Sequence, residues 1–82
     1  MDLLNPTKQQ KIGYIISTKR KRLGISQSDF AKICGMSQVT ISHLENGQFT
    51  NATTLMTVLE KLNLDILIED KDNLISKKPI KF

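Results

Sequence analysis

The residues best placed for chemistry in this 82-residue chain are amides and hydroxyls, not acid pairs, nucleophiles or metal ligands. Two Ser-Gln steps, Ser26-Gln27 and Ser37-Gln38, stand eleven positions apart. A serine in such a step can cap a helix by accepting a hydrogen bond from an orphan backbone N–H. The glutamine after it then leaves the first turn with a donor and an acceptor side by side. Val39, Thr40 and His43 follow Gln38 on one helical face. Valine suits a thymine methyl group, and His43, one turn beyond it, can donate to a base edge or a phosphate. Thr40 and Ser42 suit phosphate or water contacts. Catalysis and metal binding fare worse. Cys34 and His43 cannot supply the roughly four ligands that zinc needs. No glycine-rich phosphate loop and no nucleophile–base pair can be assembled in so small a core. The chain is therefore expected to be no enzyme and to hold no cofactor and no metal. Cys34 reads as a small buried hydrophobe in a reducing compartment.

These residues need rigid elements beneath them. Pro6 precedes a helical signal from about Thr7 to Leu23, where Ile12, Ile16 and Leu23 recur at helical spacing and Gly24 is the stop. Ser26-Gln-Ser-Asp29 opens a second, very short helix that turns Phe30, Ala31 and Cys34 inward and ends at Gly35. Ser37 caps a third helix with Ile41 and Leu44 inward and Gly47 at its end. After a polar loop, Gln48 to Asn51, a fourth helix runs from about Ala52 to Leu62 on the apolar stripe Leu55, Val58, Leu59 and Leu62. Two short helices joined by Gly35-Met36 make a helix-turn-helix, whose second helix enters the major groove of DNA.

Net charge is +4, and its distribution says more than its sum. Residues 1–24 carry +5, residues 25–70 carry −4 and residues 71–82 carry +3. Basic segments flanking an acidic body suggest a polyanionic partner. No apolar run approaches the ~20 residues of a membrane span, and no secretory signal pattern opens the chain. A cytoplasmic, nucleoid-associated bacterial protein is expected.

The segment Arg20 to Gly47 resembles the phage-repressor-like (XRE) helix-turn-helix family. The match is carried by Gly24-Ile-Ser-Gln-Ser-Asp-Phe-Ala31, Gly35-Met-Ser37 and Ile41-Ser-His-Leu-Glu-Asn-Gly47. The resemblance implies a mainly α, lambda-repressor-like domain that binds double-stranded operator DNA. It implies base contacts from Gln38, Val39, Thr40 and His43. Phosphate contacts would come from Gln27, Ser37, Ser42, Asn46, Thr50 and Asn51, with Gln27 and Gln38 bracing one another. The loop lacks the basic residues of some relatives, so affinity would lean on the region of Lys8, Lys11, Lys19, Lys21 and Arg22. Arg20 and Glu45 would form a partly buried ion pair between the first and recognition helices. Glu45→Ala should then destabilise the domain, since a carboxylate facing DNA would be repelled and an unpaired buried arginine is costly.

The chain departs from the common family pattern after the fourth helix. Leu64 to Glu69 is dense in apolar and β-branched residues and reads as a strand, where relatives commonly have a fifth helix. A lone strand exposes unpaired N–H and C=O groups. No other segment reads as its mate, so the expected partner is the same strand of a second copy, with Leu64, Ile66, Leu67 and Ile68 at the dimer interface. Helix-turn-helix plus one C-terminal strand resembles the HipB-type antitoxins of HipBA toxin–antitoxin systems. That resemblance implies a homodimeric repressor of palindromic operators that also binds a HipA-like kinase toxin. A stand-alone XRE regulator without a toxin is the alternative. Residues 1–70 read as the DNA-binding domain and residues 71–82 as a flexible basic tail.

Overall fold

The computed structural model describes residues 5–49, 51–72, 74 and 78–82. Four helices build the domain: α1 (Lys8–Arg22), α2 (Gln27–Cys34), α3 (Gln38–Glu45) and α4 (Ala52–Lys61). Two short strands, β1 (Leu67–Ile68) and β2 (Ile80–Lys81), follow.

Each helix begins where a side chain satisfies its orphan N–H groups. Thr7 and Gln10 form a reciprocal capping box at α1. Ser26 accepts from the Asp29 backbone N–H at α2, and Ser37 accepts from that of Thr40 at α3. At α4 the cap is Asn51, whose Oδ1 accepts from the N–H groups of Thr53 and Thr54. The turn between α2 and α3 is closed by Met36 N–H donating to the Ala31 carbonyl at 2.8 Å, with Gly35 at φ +69°. This left-handed conformation is accessible to glycine without steric penalty.

Ile16 from α1, Phe30 and Ala31 from α2, Ile41 and Leu44 from α3, and Val58, Leu59 and Leu62 in and after α4 form the buried core. Ile12, Ile25, Leu55, Leu64 and Ile66 pack around it half-buried. α1 and α3 approach closely. A Cβ on Gly13 would lie 2.5 Å from the Glu45 carbonyl oxygen and 2.6 Å from that of Leu44. A Cβ on Gly47 would likewise meet the Gln10 backbone N at 2.8 Å. Two glycines thus set how near α1 lies to the end of α3.

The strand differs from expectation. Within Leu64–Glu69 only Leu67–Ile68 is β, and its mate lies in the same chain. β2 pairs antiparallel with β1, Leu67 opposite Lys81 and Ile68 opposite Ile80. The last residues therefore return to the domain, and the reading that nothing else could pair with this segment is corrected. Lys81 Nζ lies 3.0 Å from the Asp65 carboxylate, an ion pair that ties β2 to the residues just before β1.

Candidate nucleic-acid interface

The helix-turn-helix presents α3 to solvent along one side. Ile41 and Leu44 are buried, while Gln38, Val39 and His43 are exposed and Thr40 is half-buried. Val39 is 62% exposed, a large apolar side chain left open on an otherwise polar face. Thr40, His43, Gln48, Asn51 and Thr54 line a polar cavity between the C-terminal half of α3 and the start of α4. Thr54 went unremarked in the sequence; its place follows from the cap at Asn51, which sets it in the first turn of α4.

Several residues expected at phosphates also serve the helix ends. Ser37 Oγ accepts from the Thr40 N–H at 3.1 Å and lies 2.9 Å from Thr40 Oγ1. Asn46 Nδ2 donates to the Ser42 carbonyl at 2.9 Å, and Asn51 Oδ1 is the α4 cap. Thr50 lies outside the described residues.

Beneath α3 an ion pair fixes its angle to α1. Arg20 Nε and Nη2 donate to the Glu45 carboxylate at 2.6 and 3.0 Å, and Arg20 Nη1 donates to the Ile25 carbonyl at 2.7 Å. The two side chains are 8% and 6% exposed, so solvent screens the pair weakly. Burial by itself would raise the Glu45 carboxyl. The hydrogen bonds from Arg20 and Gln27, the Arg20 charge and a contribution from Ser17 outweigh it and hold that carboxyl below its ordinary value. The same bond to Glu45 raises the Arg20 guanidinium against the opposing effect of burial.

Gln27 differs from the expected arrangement. Its Nε2 donates to Glu45 Oε1 at 3.1 Å. No hydrogen bond among the described residues joins it to Gln38, so the expected brace between the two amides is replaced by one between Gln27 and Glu45. A carboxylate with two lone-pair-bearing oxygens close by is the stronger acceptor.

The basic residues of α1 divide between two faces. Lys19 and Arg22 line a shallow groove with Tyr14, Ile15, Thr18 and Leu64, on a side of α1 other than that which Arg20 turns to α3. Lys21 is exposed. Lys8 and Lys11 are exposed at the other end of α1, which Gly47 brings against the end of α3. These two lysines are therefore exposed cations of α1 near the C-terminal end of α3.

An exposed, doubly braced second helix in a helix-turn-helix is the framework of a DNA-reading domain, and the chain matches the helix-turn-helix family HTH_3 over residues 16–68, more than half its length. The chain belongs to the XRE-type helix-turn-helix family. It is a DNA-binding regulator of that family. A curated relative is the ImmF control region 10 kDa protein of Bacillus phage phi105, 38% identical over 58 residues. That match covers 70% of this chain and 64% of the relative. Among solved structures, the chain is similar to HipB in the HipA-HipB-O2-O3 complex and in the HipB-O4 20mer complex. Each superposes with a TM-score of 0.69 at 29% identity, covering 82% of this chain and 96% of the HipB chain. The clp gene regulator ClgR from C. glutamicum shares the fold, at TM-score 0.65 and 22% identity over 72% of this chain and 77% of that one. No helix among the described residues is long and apolar enough to cross a membrane.

Proposed function

We propose that this XRE-type regulator is a sequence-specific repressor that binds palindromic operator DNA as a homodimer, with α3 in the major groove of each half-site. The observation that carries this reading is the exposed face Gln38, Val39 and His43 on a helix whose tilt is fixed by the buried Arg20–Glu45 pair. Gln38 would read adenine, Val39 would cover a thymine methyl and His43 would donate to a base or phosphate. Thr40 would contribute a further hydroxyl. Gln27, Ser37, Ser42, Asn46, Thr50 and Asn51 would set the register on phosphates, with Lys8 and Lys11 supplying charge and Lys19, Lys21 and Arg22 acting at longer range. A two-fold dimer would space its half-sites by roughly 34 Å, one helical turn.

The test is a gel shift with the promoter upstream of the chain's own gene at two salt concentrations. Six or more phosphate contacts lower affinity by about a thousandfold or more between 50 and 200 mM salt. Retention of a discrete shifted band at low salt that disappears at high salt supports the reading. Absence of any shift, or identical binding to scrambled DNA, refutes it.

A finer reading follows from the likeness to HipB. Coverage of 96% of the HipB chain supports a HipB-type antitoxin that also binds a HipA-like kinase toxin. Likeness to the ImmF control region 10 kDa protein of a Bacillus phage supports instead a regulator acting alone. Co-purification of a kinase encoded beside the gene, and rescue of growth when that kinase is expressed, separates the two.

A further inference from the structure

α1 carries the cations Lys8, Lys11, Lys19, Arg20, Lys21 and Arg22 and no carboxylate. Glu45 neutralises Arg20. Lys19 and Arg22 are paired with no acid among the described residues. They line a groove of about 360 Å³ together with Tyr14, Ile15, Thr18 and Leu64. Tyr14 is 71% and Ile15 52% exposed, so an aromatic and a branched aliphatic side chain stand in solvent beside two open charges.

The spacing gathers these residues into one stripe. Tyr14, Thr18 and Arg22 recur every four positions, and Ile15 and Lys19 form the adjoining row. At 3.6 residues per turn, Thr18 and Arg22 stand about 160° around the helix from Arg20, the side chain that reaches α3. DNA read by α3 therefore lies across α1 from the groove. A phosphate backbone would also leave Tyr14, Ile15 and Leu64 uncovered, because it has no apolar group to set against them. Tyrosine and arginine are the types that dominate the energetics of protein–protein contacts, and an apolar patch rimmed by polar groups marks such a contact. The charge that complements the rim is negative.

We propose that this outer face of α1 docks an acidic segment of a partner protein. One apolar side chain of that segment enters the groove between Tyr14, Ile15 and Leu64, and its carboxylates pair with Lys19 and Arg22. Arg22 adds direction, because a planar guanidinium donates two parallel hydrogen bonds to a carboxylate. At 1.5 Å of rise per residue, the two charges lie roughly 6–12 Å along α1 from Tyr14 and Ile15. An extended peptide rises about 3.3 Å per residue, so its acidic residues stand about two to four positions from the apolar one. The site is separate from the DNA face, and its occupancy does not depend on operator binding.

The probe is a fluorescein-labelled synthetic peptide with one leucine followed, two residues on, by consecutive glutamates. It is titrated into the full chain and followed by anisotropy and by backbone amide shifts. The peptide binds, and the shifts centre on Tyr14, Ile15, Lys19 and Arg22. Exchanging its leucine for alanine weakens binding roughly tenfold, the loss expected when one buried aliphatic side chain is removed. Tyr14→Ala weakens it several-fold with the melting temperature unchanged. Lys19→Glu with Arg22→Glu reverses the preference, so that a peptide with lysines in place of the glutamates binds better. Equal binding of the leucine and alanine peptides overturns the proposal, since charge alone would then be the cause. Lack of binding at millimolar peptide overturns it too. So do the same shifts produced by duplex DNA or by raising the protein's own concentration, which would assign the face to nucleic acid or to a second copy. The operator gel shift reports separately on DNA reading.

Discussion

Replacing Glu45 by alanine should remove roughly 3 kcal/mol of stability at neutral pH. Breaking a buried pair by deleting one partner costs about 3–5 kcal/mol, because the other charge is left uncompensated. Here the lower end applies, since Arg20 keeps its bond to the Ile25 carbonyl. A domain of this size has on the order of 4–12 kcal/mol in total, so the loss is a large share. With a urea m-value near 1.5 kcal/mol/M, the midpoint should fall by about 2 M. The pH dependence follows from the lowered Glu45 carboxyl. Its contribution is complete above the ordinary value of 4.5 and is lost as pH falls through the lower folded value. Parent and variant should therefore converge in acid. Urea titrations followed by far-UV circular dichroism, at fixed protein concentration and at pH 7 and pH 3, provide the measurement. The double variant Arg20→Met with Glu45→Leu should recover most of the loss, as apolar replacement of both partners does elsewhere. A midpoint at pH 7 within about 0.3 M of the parent, alongside lost operator binding, would refute the reasoning and make Glu45 a DNA-facing group.

Gly13→Ala should lower the melting temperature, because the added Cβ falls 2.5–2.8 Å from the backbone of Leu44 and Glu45. Overpacking of about 1–3 kcal/mol outweighs the ~1 kcal/mol gain in helix propensity; a rise in differential scanning calorimetry would contradict this contact. Gln38→Ala should cost about 1–3 kcal/mol of discrimination at one base pair while leaving the melting temperature unchanged, and a uniform loss across operator variants in competition gel shifts would argue against a base contact. Replacing Lys8 and Lys11 together should flatten the salt dependence of DNA affinity by close to two phosphates, more than replacing Lys19 and Arg22 does; equal slopes in fluorescence anisotropy would remove the distinction between the two faces of α1. Burial raises the Cys34 thiol, with Lys61 partly opposing it, so iodoacetamide at pH 8 should alkylate it more slowly than it does the urea-unfolded chain, and equal rates by mass spectrometry would show that the site is open.

The helices were legible because their signals are local. Thr7, Ser26 and Ser37 cap where a serine or threonine before an apolar period should, and Gly24, Gly35 and Gly47 stop the helices with positive φ. The core was legible for the same reason, since Ile16, Phe30, Ile41, Leu44, Val58 and Leu62 recur at helical spacing. What escaped depends on a distant partner, as at Gly13 and β2, or on an asparagine in a cap or stop position usually held by serine or glycine, as at Asn51 and Asn63. Gly13 looks like an unfavourable residue inside a helix until α3 is brought against it. Asn51 read as a loop residue at a phosphate, yet the α4 N–H groups beside it claim its oxygen. Asn63 ends α4 with φ 56°, a stop that no glycine announces. β2 holds one isoleucine between a proline and a lysine and shows no alternation, so nothing in its own composition marks it; its mate lies more than ten residues back.

Gln27 joins the legible part of the interface to the illegible part. A glutamine amide can be turned either way, and only one orientation suits a neighbouring carboxylate, which accepts and cannot donate. Glu45 therefore holds Nε2 of Gln27 inward at 3.1 Å. Nε2 carries two hydrogens, and one is enough for Glu45. The second is available to a phosphate oxygen, for which the carbonyl end of the amide would have been repulsive. Glu45 thus does two things from a buried position: it anchors α3 to α1 through Arg20, and it settles which end of Gln27 a nucleic-acid backbone would meet. Gln27→Glu puts an acceptor in the donor's place beside Glu45, and both DNA affinity and stability should fall together. Gln27→Met leaves the carboxylate paired with Arg20, so affinity should fall by several-fold while the melting temperature moves little. Loss of stability without loss of affinity in Gln27→Met would confine this residue to the scaffold.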